Sequence, residues 1–574
     1  MPTTAEIRAQ LTGPGGMFEV TTGDVLGRQM EIYANRMPSL RSVAEVGLMR
    51  GDDATFIVFG EQTYGFGSFV QMANSVAQAL RTTFGLAKGD RVAVLSQNNP
   101  EWCLAFWATV SQGAILVGLN GWWTTDEIEY GLQDSGAKVL VADRKRFERI
   151  AGSLNGAPDL EHVFLVDCTA ADVGLADDPR IHGFAELMGS PTADFVQEDI
   201  AEDDPAVIFY TSGTTGRPKG AISTHRSMIA NLQNTLFNAV AGSMAGGGAL
   251  PDAGDGQNVS LFTSPLFHVS GCHSTLVVGL LAGLKLVMPE GRFTPETALQ
   301  LIAEHKVTVW ATVPTMVWRV CEHPDRHSYD TTSVRSVAFG GSPSADELQR
   351  MIRETFPNVS STSNAYGLTE TSSVATVISG QDALDRPTSV GPPVPTVHVK
   401  ILGDDGTEVA VGETGEVCIA GPILMAGYWR KAEATAEAID TDGWLHTGDI
   451  GHVDADGFVY ITDRKKDMII RGGENIYCVE IEQRLVNHPH IADAAVIGVP
   501  HPELGEEVKA VVQIEAGETL TEAEVRQWVA DGLAAFKVPA YVDISPDKLP
   551  RNASGKLLKN VLRGEGDVSF AETM

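Results

Sequence analysis

The chain has 574 residues, 42 basic against 74 acidic side chains for a formal charge of −32, and 43% hydrophobic content. That length exceeds one compact core and implies about two to four units; the acidic excess excludes bulk attraction to nucleic acid or anionic membrane, and no apolar run reaches the ~18 residues of a bilayer span. The start, MPTTAEIRAQ, lacks the basic and apolar segments of a signal peptide, and the six cysteines (Cys103, Cys168, Cys272, Cys321, Cys418, Cys478) form no CxxC pair, so a cytoplasmic protein with free thiols and no structural zinc is expected.

Short, β-branched apolar runs predict buried strands at 91–96 (RVAVLS), 138–143 (KVLVAD) and 206–210 (AVIFY). The last leads into YTSGTTGRPKG (210–220). There Thr211, Ser212, Thr214 and Thr215 offer hydroxyls, Gly213, Gly216 and Gly220 let backbone N–H groups turn toward an anion, and Lys219 adds a compact positive charge. This composition reads as a polyphosphate clasp. It is not the Walker loop, whose lysine follows glycine and precedes Ser or Thr, because Lys219 follows Pro218 and precedes Gly220.

The stretch 241–256 (AGSMAGGGALPDAGDG) reads as a flexible surface insertion. Beyond it, PLFHVSG (265–271) holds His268, and the neighbouring Cys272 and His273 lack metal-ligand spacing and read as core-side residues. A strand is predicted at 307–313 (VTVWATV). Helical patterns occupy 295–305 and 344–356, the second opened by a Ser344/Glu347 capping box with Leu348, Met351, Ile352 and Phe356 on one face. Just before it lies the turn GGSP (Gly340, Gly341, Ser342, Pro343). The string NAYGLTE follows at 364–370 and combines an aromatic ring, a glycine, a hydroxyl and a carboxylate, the parts for stacking a purine, binding a phosphate oxygen and holding magnesium.

From about 394 to 461 short strands alternate with glycine turns, as in TVHVKIL, GEVCIAG and GFVYITDR, which predicts a small β-rich subdomain. HTGD ends at Asp449 and DRKKD begins at Asp463; an ionised aspartate can accept two hydroxyl hydrogen bonds and a guanidinium can donate several. After Lys466 the chain carries RGGENIYCVEIE (471–482), strands in ADAAVIGV and EVKAVVQIE, a helix capped by Thr521 and Glu524, and LPRNASGK ending at Lys556. The alternation of strand and helix gives the expected fold class, α/β: a large N-terminal domain of layered α/β sheets (1–465) with a β-rich subdomain at about 394–465, then a small mobile α+β C-terminal domain (466–574).

Taken in order from about Asn98 to Lys556, these motifs resemble those of the adenylate-forming superfamily, which holds acyl-CoA synthetases, luciferases and peptide-synthetase adenylation domains. The resemblance implies roles. Tyr366 packs on adenine with Asn364, Ala365, Gly367 and the Gly340–Gly341–Ser342 turn around it; Thr369 contacts the α-phosphate; Glu370 ligates Mg2+; Asp449 and Arg464 take the ribose. The Thr/Gly loop with Lys219 holds the phosphates. Lys466 matches the family's hinge, Arg471, Gly472 and Gly473 its coenzyme A loop, and Lys556 its PRxxxGK lysine, which bridges carboxylate, α-phosphate and ribose and is the principal catalytic candidate. Cys478 stands where relatives frequently carry proline.

His268, in the family's acyl-side motif, either gates the acyl tunnel, assists thiol deprotonation or is a satisfied core histidine. Gly271, Gly340 and Gly341 are expected to leave room beside it, with Trp310, Val313 and Met316 as apolar wall, which favours a hydrophobic acid larger than acetate. The expected activity is that of an ATP-dependent carboxylic acid–CoA ligase acting through an acyl-AMP intermediate on a fatty, branched, aryl or alicyclic acid, with ATP, Mg2+ and coenzyme A as cofactors or co-substrates. Loading of a carrier-protein phosphopantetheine thiol, a luciferase-like oxygenase, a phosphotransferase and a non-catalytic nucleotide binder remain the alternatives. Expected partners are the acid, ATP and CoA, with no nucleic acid, no integral membrane segment, and a homodimer left open.

Overall fold

Parallel strands need long crossovers, so buried strands alternating with amphipathic helices stack into layers. The computed structural model describes residues 3–211, 217–246, 256–340, 346–465, 467–471, 474–515, 517–551 and 557–564.

A seven-stranded sheet runs in the order Lys219–Thr224, Pro205–Thr211, Ile115–Gly118, Arg91–Leu95, Val139–Ala142, His162–Leu165, Ile181–Gly183. Only its Lys219–Thr224 edge is antiparallel. An eight-stranded sheet runs Thr376–Ser379, Ser361–Tyr366, Ser336–Gly340, Val309–Thr312, Val259–Leu261, Lys285–Met288, Thr55–Phe59, Gln62–Gly65, parallel within and antiparallel at both ends. The largest apolar core draws on both sheets and on the helices Leu40–Arg50, Phe66–Thr82 and Pro100–Val110, with Phe56, Phe69, Trp102 and Phe106 fully buried. A four-stranded antiparallel sheet follows at residues 398–464, and a further sheet of five strands at 469–545 has its own core around Ile481, Val496, Val512 and Val525. This α/β architecture of several layered sheets is the one expected.

One local expectation changes. The 241–256 stretch is helical through its first five residues, since the helix His225–Ala245 continues to its end with Ala241 and Met244 packed against the cluster of Ile7, Leu11, Phe18 and Phe237; alanine and methionine are good helix formers, and packing retains them. Its remainder from 247 to 255, and the Ser344 half of the predicted capping box, lie outside the described residues, while Leu348, Ile352 and Phe356 of that helix are buried as its pattern requires. The Thr521/Glu524 capping box forms, with Thr521 N donating to Glu524 Oε2 at 2.8 Å. All six cysteines are free thiols, and Cys272 and His273 are both buried.

Candidate active site

Ligands of open α/β sheets lie beyond the carboxyl ends of the strands. Here those ends bring Gly118, Thr211, Gly340 and Tyr366 to one side of their sheets, and the segments that follow them carry most of the chemistry-bearing residues.

Thr211 and Lys219 face each other across the Pro205–Thr211 and Lys219–Thr224 hairpin, and the Thr211 hydroxyl donates to the Lys219 carbonyl at 3.4 Å. The intervening Ser212, Gly213, Thr214, Thr215 and Gly216 lie outside the described residues. Alongside Lys219–Thr224 runs the segment 426–429, joined by Ala426 N to Ile222 O at 2.9 Å and Trp429 N to Gly220 O at 2.7 Å. This brings Tyr428 under Lys219, with Nζ 4.5 Å from the ring centroid. The Tyr428 phenol donates to Glu370 Oε1 at 2.8 Å, and Met425 N donates to the Glu370 carbonyl at 2.8 Å. Burial, reinforced by the Glu370 carboxylate, pushes the Tyr428 phenol well above its ordinary value and keeps it a neutral donor.

Glu370 sits in a short 3-10 turn, Thr369–Thr371, right after the strand Ser361–Tyr366. Two devices hold this turn. A Cβ at Gly367 would overlap the Ser373 carbonyl, so only glycine permits the close return of the chain. The fully buried Ser372, at φ 48°, hydrogen-bonds through its hydroxyl with Ser227 Oγ at 2.9 Å and Ser223 Oγ at 3.1 Å, securing the turn to the Lys219 strand and the helix that follows it.

On the other side of the turn, the Tyr366 phenol donates to Asp449 Oδ2 at 2.6 Å. Asp449 is 3% exposed and faces Arg464 across paired strands, with Arg464 Nε 3.1 Å from its Oδ1. Burial and the neighbouring carboxylate raise the Tyr366 phenol well above its ordinary value. Two sets of contacts, Lys219–Tyr428–Glu370 and Tyr366–Asp449–Arg464, therefore flank the segment 366–370. Asn364 and Ala365 lie in the same strand, with Asn364 buried and Ala365 paired to Gly340.

The acyl-side expectations fare differently. His268 caps a single helical turn, Val269–Gly271, with Nδ1 3.1 Å from Ser270 Oγ. Gly271 and Gly340 leave no open room, because the Pro265 carbonyl fills the place of a Gly271 Cβ and the Ala365 carbonyl lies 2.6 Å from that of Gly340. Trp310 is fully buried between Phe293 and Phe356, with Nε1 donating to Thr263 Oγ1 at 3.1 Å, so it is a core group that a substrate would reach only by displacing packed side chains. Val313, half-buried, follows that strand, and Met316, whose Sδ accepts from Thr312 Oγ1 at 3.1 Å, is buried in the first turn of the helix Pro314–Glu322.

Arg471 pairs through Nε with the buried Glu507 Oε1 at 2.6 Å. Asp463, two residues past Ile461 on the strand that carries Arg464, accepts from the backbone of Cys478 and Val479 at the start of the helix Cys478–Val486; burial raises its carboxyl to about 6. Gly341, Ser342, Lys466, Gly472, Gly473 and Lys556 lie outside the described residues. Tyr428 escaped the sequence reading: nothing within AGYWR distinguishes it from a packing tyrosine, and its two partners are far away in the chain.

The chain matches the family described as AMP-binding enzyme over residues 45–429 and the one described as AMP-binding enzyme C-terminal domain over 480–556. It is 34% identical over 511 residues to a feruloyl-CoA synthase from Amycolatopsis sp, covering 89% of this chain and 95% of that one. Over 502 residues it is 34% identical to the fatty acid–[acyl-carrier-protein] ligase ScoC of Streptomyces coeruleorubidus, covering 86% and 89%. Among solved structures, ATP-bound MatB from Rhodopseudomonas palustris superposes with a TM-score of 0.78 at 30% identity, over 91% of this chain and 98% of that one.

Proposed function

We propose that this chain, which belongs to the AMP-binding enzyme family, is an AMP-forming acid–thiol ligase that activates a hydrophobic carboxylic acid as its acyl-adenylate and transfers the acyl group to coenzyme A. The observation that carries this is the pair of contact sets flanking the segment 366–370, Lys219–Tyr428–Glu370 as a cationic phosphate end and Tyr366–Asp449–Arg464 as a sugar end. A nucleotide laid along that segment has its α-phosphate beside Thr369 and Glu370.

A carboxylate is a poor acyl donor because oxide would have to leave. In the first half-reaction a carboxylate oxygen attacks the α-phosphorus, the bond to the bridging oxygen breaks, and pyrophosphate departs. Two anions must meet, so Lys219, the Thr/Gly loop and Lys556 offset their repulsion. Glu370 suits Mg2+: it is a hard oxygen donor with one oxygen held by Tyr428, and this ion takes one or two carboxylates together with substrate phosphates. Bound there, the ion would neutralise phosphate charge. Tyr428 aims the carboxylate, and the Met425 N–H fixes the main-chain carbonyl of the same residue.

In the second half-reaction the thiolate sulfur attacks the acyl carbon and AMP leaves, with the thiol proton passing to His268 or to solvent. A thiol of pKa about 8.5 is only a few per cent ionised at neutral pH, so a nearby base or cation accelerates this step. Lys556 and the 471–473 loop both follow Lys466, and both must approach one carbonyl from the same region. A division of the chain at Lys466, with rotation of the following domain between the two steps, accounts for this. The likeness to ScoC supports a carrier-protein thiol as the second acceptor.

A panel of aliphatic and aryl acids assayed with ATP and either CoA or a phosphopantetheinylated carrier tests the reading. Acid-dependent AMP and pyrophosphate with thioester is the expected result. ADP and orthophosphate, or no nucleotide turnover with any acid, would overturn it.

A further inference from the structure

Trp122 is the one exposed tryptophan among the described residues, at 39% exposure. It does not hang on a loose loop. Its backbone N–H donates to Asn120 Oδ1 at 2.9 Å, Trp123 N donates to the Asn120 carbonyl at 3.0 Å, and Arg149 Nη1 bonds the carbonyls on either side, Gly121 at 3.1 Å and Trp123 at 2.8 Å. A Thr124/Glu127 capping box then starts the next helix. Such a loop holds an indole outward at little further loss of conformational freedom.

The two tryptophans point to two parts of the site. Trp123, buried, meets Tyr210 edge-on at 5.4 Å, one residue before Thr211. Trp122 meets Phe267 edge-on at 5.2 Å, one residue before His268. The Phe267 segment also rides on the end of the Ile115–Gly118 strand, where a Cβ at Gly118 would stand 3.2 Å from Phe267 Cα. The loop that follows Val259–Leu261 thus has two sides. Its Thr263 hydroxyl bonds Trp310 and Thr312 of the eight-stranded sheet, next to Val313 and Met316, and its Phe267 ring turns to Trp122 in the loop that follows the strand Ile115–Gly118 of the seven-stranded sheet.

Resting on the ligase reading above, the geometry points to Trp122 and Phe267 as the wall of the thiol's approach to His268, on the opposite side of the loop from the acid. The indole is amphipathic and open to solvent, which suits the arm of a pantetheine-type thiol, whose methylenes alternate with amides and which must enter after the adenylate has formed. Covering that approach also keeps water from the acyl-adenylate carbonyl.

The test compares Trp122→Ala and Trp122→Phe in the full chain, by acid-dependent ATP–pyrophosphate exchange, KM for CoA, and the ratio of AMP to thioester. Trp122→Ala should leave exchange and Tm near those of the unaltered protein, raise KM for CoA about tenfold, and release AMP in excess of thioester; Trp122→Phe should restore most of both. Unchanged KM and product ratio, or exchange falling in parallel with thioester, would overturn the role of Trp122. Absence of exchange in the unaltered protein would instead bring down the ligase reading beneath it.

Discussion

Replacing Tyr428 by phenylalanine removes one oxygen at the centre of the candidate site. The ring stays, and with it the packing of a residue only 8% exposed and the face that Lys219 Nζ approaches at 4.5 Å. What goes is the 2.8 Å bond to Glu370 Oε1. A hydrogen bond to a charged acceptor contributes about 1.5–3 kcal/mol, and if the held carboxylate matters chiefly in the transition state this lowers the adenylation rate roughly 10- to 150-fold. Lost aim should also raise the magnesium concentration needed for half-maximal rate. Acid-dependent ATP–pyrophosphate exchange across a magnesium titration measures both, and Tyr428→Ala, which also forfeits the cation–π contact of about 0.5–2 kcal/mol, should fall further. Exchange within about twofold of the unaltered protein at every magnesium level would refute the claim that this phenol positions Glu370.

Three further outcomes follow. Gly367→Ala must push Ser373 away from the Glu370 turn and should abolish exchange while lowering Tm, so a fully active variant would contradict the close return seen there. Lys556→Ala should still bind nucleotide, by calorimetry, yet form little acyl-adenylate; near-normal adenylate output would remove Lys556 from its assigned role. Burial holds His225 down to about 4 and His273, beside His268, down to about 3. The unfolded chain therefore takes up protons below pH 6.5 that the folded chain refuses, and the stability these neutral rings contribute, complete above pH 6.5, is lost as pH falls, by about 1.4 kcal/mol per pH unit for each. Below about pH 6 the raised Asp463 carboxyl takes up a proton in the folded chain and offsets about one ring's share, so the readout is a difference: over pH 6.5 to 4.5 the urea-unfolding slope of His273→Gln should lie one proton's share below that of the unaltered protein, and an unchanged slope would count against a buried neutral His273.

Much of the site was legible because its chemistry is crowded into short strings. Thr211 to Lys219 and Asn364 to Glu370 announce themselves by residue types that a core would reject, and the strands Arg91–Leu95 and Val139–Ala142 by apolar runs with no polar break. The reading failed where neighbours in space decide. Trp310 looks like a pocket wall in VTVWATV, yet its surroundings of Phe293 and Phe356 make it core. Gly271 looks like vacant room, yet the Pro265 carbonyl occupies it. Ala241 to Ala245 look like the start of a loose insertion, yet contacts with Ile7, Leu11 and Phe18 keep them helical.

The order of the motifs by itself determined the family and the layered α/β plan, since residue type and local period are short-range properties that survive without knowledge of partners. Which groups act together was decided only in three dimensions. Tyr428 lies 58 positions from Glu370, Tyr366 83 from Asp449, and Trp122 and Phe267 meet from loops that follow strands of different sheets. Such pairings arise from sheet register and close packing of distant segments, and no local pattern encodes them.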